Sequence, residues 1–154
     1  MNRLTRTLVG LVLLAVAVVL IGRLVSVVAP SPVLGLTEEE RLHPCEEGDD
    51  CVSSATAEGP GAIDPLPCGP GKLEQVAEHA ELVLDRTELQ TRGDTYAHLT
   101  SRSQILGLVD DLELHADGGA VQVRSAARIS LGDRGVNAER VEQLREEVAD
   151  TICQ

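Results

Sequence analysis

Four cysteines, two adjacent aspartates and a set of arginines are the residues here whose types and spacing could do chemistry. The cysteines are Cys45, Cys51, Cys68 and Cys153. In an exported domain an even set of four implies two disulfides, with three connectivities open. The metal alternative takes His43, Cys45 and Cys51 as zinc ligands, but it lacks a fourth ligand at the usual spacing. The redox alternative needs a reactive dithiol. Cys45 and Cys51 lie six positions apart, which is not the C-x-x-C arrangement.

Asp110 and Asp111 are the candidate acid–base groups. Alternation along a strand puts Asp111 on a polar face with Glu113 and His115, and puts Asp110 among leucines. A bare carboxylate on an apolar face costs several kcal/mol, so Asp110 needs donors or a cation. Ser125, backbone N–H groups and an arginine are the expected sources. Structurally, Asp110 pins the hairpin to its neighbours. Functionally, it would be a general acid or base with a raised pKa. Arg124, Arg128, Asp133, Asn137 and Arg140 form the third group. Arg124 and Arg128 fall on the polar face, where Asp111 and Glu113 can pair with Arg124 across the hairpin. Arg134 and Arg140 flank the start of the last helix, whose N-terminus attracts anions. Arg128, Asn137 and Arg140 are therefore the candidate anion ligands. The competing reading is a salt-bridge network holding the helix on the sheet.

Other chemistry finds less support. The four histidines, at 43, 79, 98 and 115, show no metal spacing. His79 and His115 are expected on solvated faces. Ser53 and Ser54 lack a GxSxG context. No glycine motif for cradling phosphate occurs, so no cofactor and no metal are expected. The formal charge of the 154-residue chain is −12. Arg3, Arg6 and Arg23 lie in the first 29 residues and no acid does, so the remainder carries −15. Such an excess repels phosphate backbones and argues against nucleic acid as a partner. With one tyrosine, no tryptophan and no phenylalanine, few rings exist for bases to stack on.

The elements that position these residues begin with an apolar run. Residues 8–22 carry no charge, Arg23 interrupts, and LVSVVA continues to Ala29. As a helix, residues 8–29 span roughly 33 Å, enough to cross a bilayer core. Arg23 near the far end can snorkel to the interface. Arg3 and Arg6 keep the N-terminus cytoplasmic. A cleaved signal peptide is the rival, weakened because Pro30 would follow the only plausible cut. The organisation is then an anchor over 1–29, a linker over 30–44 and an extracytoplasmic domain over 45–154. After the Gly/Pro-rich loop 58–71 a helix is expected over 70–84, with Leu73, Val76, Ala77 and Ala80 on one face. Strands follow over 87–91 and 95–102. A hairpin joins 105–115 to 121–130 through ADGGA. Its register pairs even positions with odd ones, which joins the faces of Leu112 and Leu114 to Val121 and Val123. A last helix runs over 137–152, with Asn137 as N-cap and Val136 and Val141 as a hydrophobic staple. The fold class is α+β: a transmembrane helix, then a helix, a meander of about four antiparallel strands and a C-terminal helix, packed on one sheet face.

Three pieces of the chain together carry a family resemblance. They are Pro44-Cys45 with Cys51-Val52-Ser53-Ser54, GLVDDLEL at 107–114, and VRSAARISLGDRGVNAERVEQLR at 123–145. With Tyr96 they resemble the domain of unknown function numbered 1499, over about residues 42–148. EEGDD at 46–50 and Leu108 depart from that family's pattern, and Cys68 and Cys153 look like additions to it. The resemblance implies a fold and an envelope location, and no activity. Cys45 and Cys51, which both match the family, enclose a short loop. Cys68 opens one helix and Cys153 closes another, so the expected bridges are Cys45–Cys51 and Cys68–Cys153. The functional expectation is a membrane-anchored, non-catalytic envelope module that binds a partner protein or small ligand. The alternatives are a hydrolase or isomerase using Asp110 or Asp111 with an arginine clamp, and a cysteine-based metal or redox protein.

Overall fold

No charge interrupts residues 7–22, and this run folds as the middle of helix α1, Arg3–Val28. The computed structural model describes residues 2–29, 33–56, 58–130, 132 and 135–154. Expectations placed on Pro30, Asp133 and Arg134 lie outside these residues. Helix α1 is long and apolar enough for a membrane anchor or a signal segment, and its apolar window is not buried against the rest of the chain. Its far end does touch the domain. Ser26 is fully buried, and its Oγ accepts the Val109 N–H at 2.6 Å.

The chain then forms a short strand, β1 (Cys51–Ser53), and a 3-10 turn over Pro70–Lys72 that leads into helix α2 (Leu73–Val83). A first-turn proline is tolerated because its missing N–H would have no helical partner. Leu73, Val76, Ala77 and Ala80 are buried at helical spacing, which gives α2 one apolar face. Strands β2 (Thr87–Arg92), β3 (Tyr96–Arg102), β4 (Val109–Asp117) and β5 (Ala120–Ala127) follow, and helix α3 (Val136–Thr151) closes the fold.

The four later strands make the expected antiparallel meander, and β1 adds a fifth strand, giving the order β1-β5-β4-β3-β2. In the central hairpin Leu114 faces Val123 and Leu112 faces Ser125, so the even-with-odd register holds. Gly118 (φ 62°) and Gly119 (φ 87°) make its turn, since both positions need the left-handed backbone that glycine adopts freely. The first arm begins at Val109 rather than at residue 105. Residues 103–108 instead close a local loop, with Ser103 N bonded to Leu108 O and Leu108 N to Ser103 Oγ. Those bonds occupy groups that a longer ladder would have needed.

Helices α2 and α3 pack on one face of the sheet. Leu99, Leu112, Leu114, Val121 and Val123 meet Val76 and Ala80 of α2 and Val141, Leu144 and Val148 of α3. This core holds no aromatic side chain, because the chain's single aromatic residue, Tyr96, lies on the other face. Asn137 is not the N-cap of α3. Gly135 holds that position with φ 86°, and glycine has no side chain of its own with which to cap the helix. Asn137 lies two positions further in, fully buried, because its amide is drawn into the sheet. Val136 is then the first helical residue and is exposed, so the expected staple with Val141 does not form.

Candidate functional site

Strand β4 reads VDDLELHAD and serves two different environments. Leu112 and Leu114 point into the helical core, while Asp111, Glu113 and His115 point the opposite way. That opposite face is not solvated. Asp111 and Glu113 are 0 % exposed and His115 is 5 % exposed. The expectation of a solvated His115 is therefore corrected; its Nδ1 lies 2.7 Å from Thr95 O. The cover comes from the chain between α1 and β1. Gly35 N–H donates to Glu113 Oε1 at 2.7 Å, Leu42 is 2 % exposed, and His43 O accepts from Ser53 Oγ.

Under this cover the charges pair off. Arg128 grips Asp111 with two parallel bonds, Nε to Oδ2 at 2.9 Å and Nη2 to Oδ1 at 2.8 Å. His98 Nε2 lies 2.7 Å from the same Oδ1. Burial acts to raise the Asp111 pKa, but the bonds from His98 and Arg128 outweigh it and hold the carboxyl below its usual range. The bond to Asp111 raises the Arg128 pKa against the opposing effect of burial. Arg124 pairs with Glu113, directly opposite it, at 2.8 Å, and not with Asp111. Tyr96 donates to Glu113 Oε1 at 2.7 Å. Burial, then the neighbouring Glu113 carboxylate, push the Tyr96 phenol well above its usual pKa. Among the described residues, Arg124 Nε is the one buried side-chain polar atom without a hydrogen-bond partner.

Asp110 lies on the helical side, as alternation requires. Its Oδ2 meets Arg140 Nη2 at 2.7 Å, so the needed cation comes from α3. Arg140 also donates to Ser125 Oγ and to Asn137 Oδ1, while Asn137 donates to Asp50 O. A cavity of about 180 Å³ opens beside Asp110, lined by Asp50, Leu108, Ile129 and Val136 among others. The proposed anion set of Arg128, Asn137 and Arg140 is not one site. Arg128 sits with Asp111 on one face of the sheet, and Asn137 with Arg140 on the other. Their side chains are engaged by the protein's own acceptors.

Glu113 was expected as a partner of Arg124, but two participants were not singled out as candidates from the sequence: His98 and Tyr96. Alternation on β3 places His98 and Tyr96 on the polar face, and β3 pairs with β4 so that His98 faces Glu113 and Thr100 faces Asp111. The signal was therefore a polar stripe shared by two neighbouring strands. The cysteines are bonded to one another, Cys45 to Cys51 with Cα atoms 5.7 Å apart and Cys68 to Cys153 with Cα atoms 4.8 Å apart. These bonds take Cys45 and Cys51 away from a zinc ion.

Chemically, the polar face stores paired charge. Both Asp111 oxygens are engaged and its proton affinity is lowered, which suits an ion-pair anchor better than a group that exchanges protons. Comparison with curated proteins and with solved structures finds no match. A family model described as Protein of unknown function (DUF1499) matches residues 41–148, and the chain belongs to that family.

Proposed function

We propose that the protein keeps its N-terminal helix and holds a non-catalytic binding domain against the extracytoplasmic membrane surface. The observation that carries this reading is the bond from Val109 N–H to Ser26 Oγ, buried where the end of α1 meets the start of β4. A signal peptide is discarded and has no reason to complete a strand of the mature domain. Removing it would leave the Val109 N–H without that acceptor, at a cost of about 1–3 kcal/mol. Arg3 and Arg6 ahead of the apolar run favour a cytoplasmic N-terminus. Two disulfides suit an oxidising compartment. The capture of Asp111, Glu113 and Asp110 by arginines favours binding over catalysis.

The test is protease treatment of intact cells that express the full chain with an N-terminal tag. Cleavage of the domain from outside, with the tag still protected in the membrane, is expected. Recovery of a soluble form that begins after Ala29 would overturn the reading.

A further inference from the structure

Most arginines of the domain are spoken for by carboxylates. Arg92, Arg124, Arg128, Arg140 and Arg145 pair at 2.7–3.1 Å. Three others converge on one cavity of about 280 Å³, with Ser103, Gln104 and Gly107 as its remaining walls. They are Arg23 from α1, Arg86 just before β2 and Arg102 at the end of β3. Among the described residues, no acid lines this cavity. Among the described residues, Arg23 and Arg102 take part in no ion pair, and the carboxylate nearest Arg86 is Asp85 at 3.9 Å, with a side chain 96 % exposed. So loose a surface pair neutralises little. Three arginines from separate elements therefore line one cavity, with a single loose surface carboxylate paired to one of them, a setting that favours an anion.

One side-chain and one backbone hydrogen bond hold Arg86 and Arg102 together. Arg86 Nε donates to Arg102 O, and Arg102 N donates to Arg86 O, each at 3.1 Å. The Arg23 side chain lies along Gly107, where an added Cβ would stand 2.9 Å from Arg23 Cγ at a backbone φ of +66°. Only glycine leaves room there for the α1 arginine to reach the domain.

Helix α1 sets the depth of this cavity. Arg23 lies 17 positions after Arg6, roughly 26 Å along the helix, against a hydrocarbon core of about 30 Å. With Arg6 at the inner boundary, Arg23 lies about 4 Å short of the outer one, close enough for its side chain to snorkel to the outer headgroup layer. The loop forming one wall also exposes Ile105, 73 % accessible, an apolar side chain suited to the edge of the acyl region. We propose that Arg23, Arg86 and Arg102 bind the phosphate of an anionic phospholipid headgroup in the outer leaflet. Guanidinium forks match phosphate oxygens in pairs, and this position delivers phosphate as lipid rather than as a soluble ion. The proposal rests on the anchored reading above.

The test uses the full chain recovered from membranes in detergent, titrated with phosphatidylglycerol, phosphatidylcholine or glycerol phosphate and read by native mass spectrometry. Phosphatidylglycerol is expected to be retained in preference to phosphatidylcholine. The double variant R86Q/R102Q should weaken its binding at least about tenfold, since two charged donors are lost. R86K/R102K, which keeps both charges, should recover part of that loss. Any loss of melting temperature should be small and alike in the two variants, because both side chains are exposed and both variants lose the Arg86 Nε bond to Arg102 O. Equal retention of the two lipids, or unchanged binding by R86Q/R102Q, overturns the proposal. Glycerol phosphate binding as tightly as the lipid would make this a soluble-phosphate site and overturn the lipid assignment. The intact mass of the same sample reports on the anchor separately: a mass lacking residues 1–29 removes the anchored reading whatever the lipids do.

Discussion

Arg128 holds Asp111 through two parallel hydrogen bonds, and the carboxylate at the centre of this pair is fully buried. Neither partner is free to serve a ligand without breaking the other's hydrogen bonds. The pair is best understood through what its loss would do to stability.

Substituting Asp111 by Ala strands Arg128 and His98 without their acceptor, and should cost about 3–5 kcal/mol. The Asp111 pKa is lowered in the fold, so its stabilising contribution is present above the unfolded carboxylate value of about 3.9 and is lost as pH falls below it. Denaturant midpoints measured from neutral pH down to about pH 3 should fall for the parent protein. Asp111→Asn, which cannot titrate, should show a flatter acid limb. An equally steep limb in that variant would show that other carboxylates govern acid unfolding.

Tyr96 is the chain's single aromatic residue, so its ultraviolet spectrum reports on one site. Its phenol pKa is raised in the fold. The stability it contributes is therefore present below the unfolded value of about 10 and declines as pH rises above it. Tyrosinate absorbance should appear only as the protein unfolds in alkali. Tyr96→Phe removes a donor from buried Glu113 and should cost about 1–3 kcal/mol at neutral pH. A phenol that ionises near pH 10 in the folded protein would contradict the burial of this bond.

The two disulfides close loops of very different length, with sequence separations of 6 and 85. On chain-entropy grounds, the Cys45→Ser/Cys51→Ser pair should cost about 2 kcal/mol and Cys68→Ser/Cys153→Ser about 4–5 kcal/mol. Urea unfolding of both double variants checks the order. Equal losses would show that local geometry, not loop length, sets the contribution.

Ser26→Ala removes the acceptor for the buried Val109 N–H and should lower the stability of the domain by about 1–3 kcal/mol. Hydrogen exchange at the start of β4 should quicken in that variant. If protection there is unchanged, the helix end and the strand are not coupled.

Periodicity carried the regular elements. The α2 and α3 stripes and the β4–β5 register follow from apolar spacing and the turn at Gly118 and Gly119, which act between residues close in sequence. The three-residue β1 was out of reach, because so short a segment has no period to read. Alternation also separated Asp110 from Asp111 correctly, and showed that Asp110 would need a cation, but could not name Arg140 as its source.

The sequence by itself determined that one face of the sheet is apolar and the other polar, since side chains alternate along every strand. It could not determine that the polar face is dry. That was decided by contacts spanning great lengths of chain, Gly35 with Glu113 across 78 positions and Ser26 with Val109 across 83. The same polar stripe would be a solvated surface if nothing lay over it. Covered, it must pair its charges internally, because buried ions without partners cost too much. Tertiary structure therefore decided which arginine meets which acid, and which three arginines are left facing a cavity beside α1.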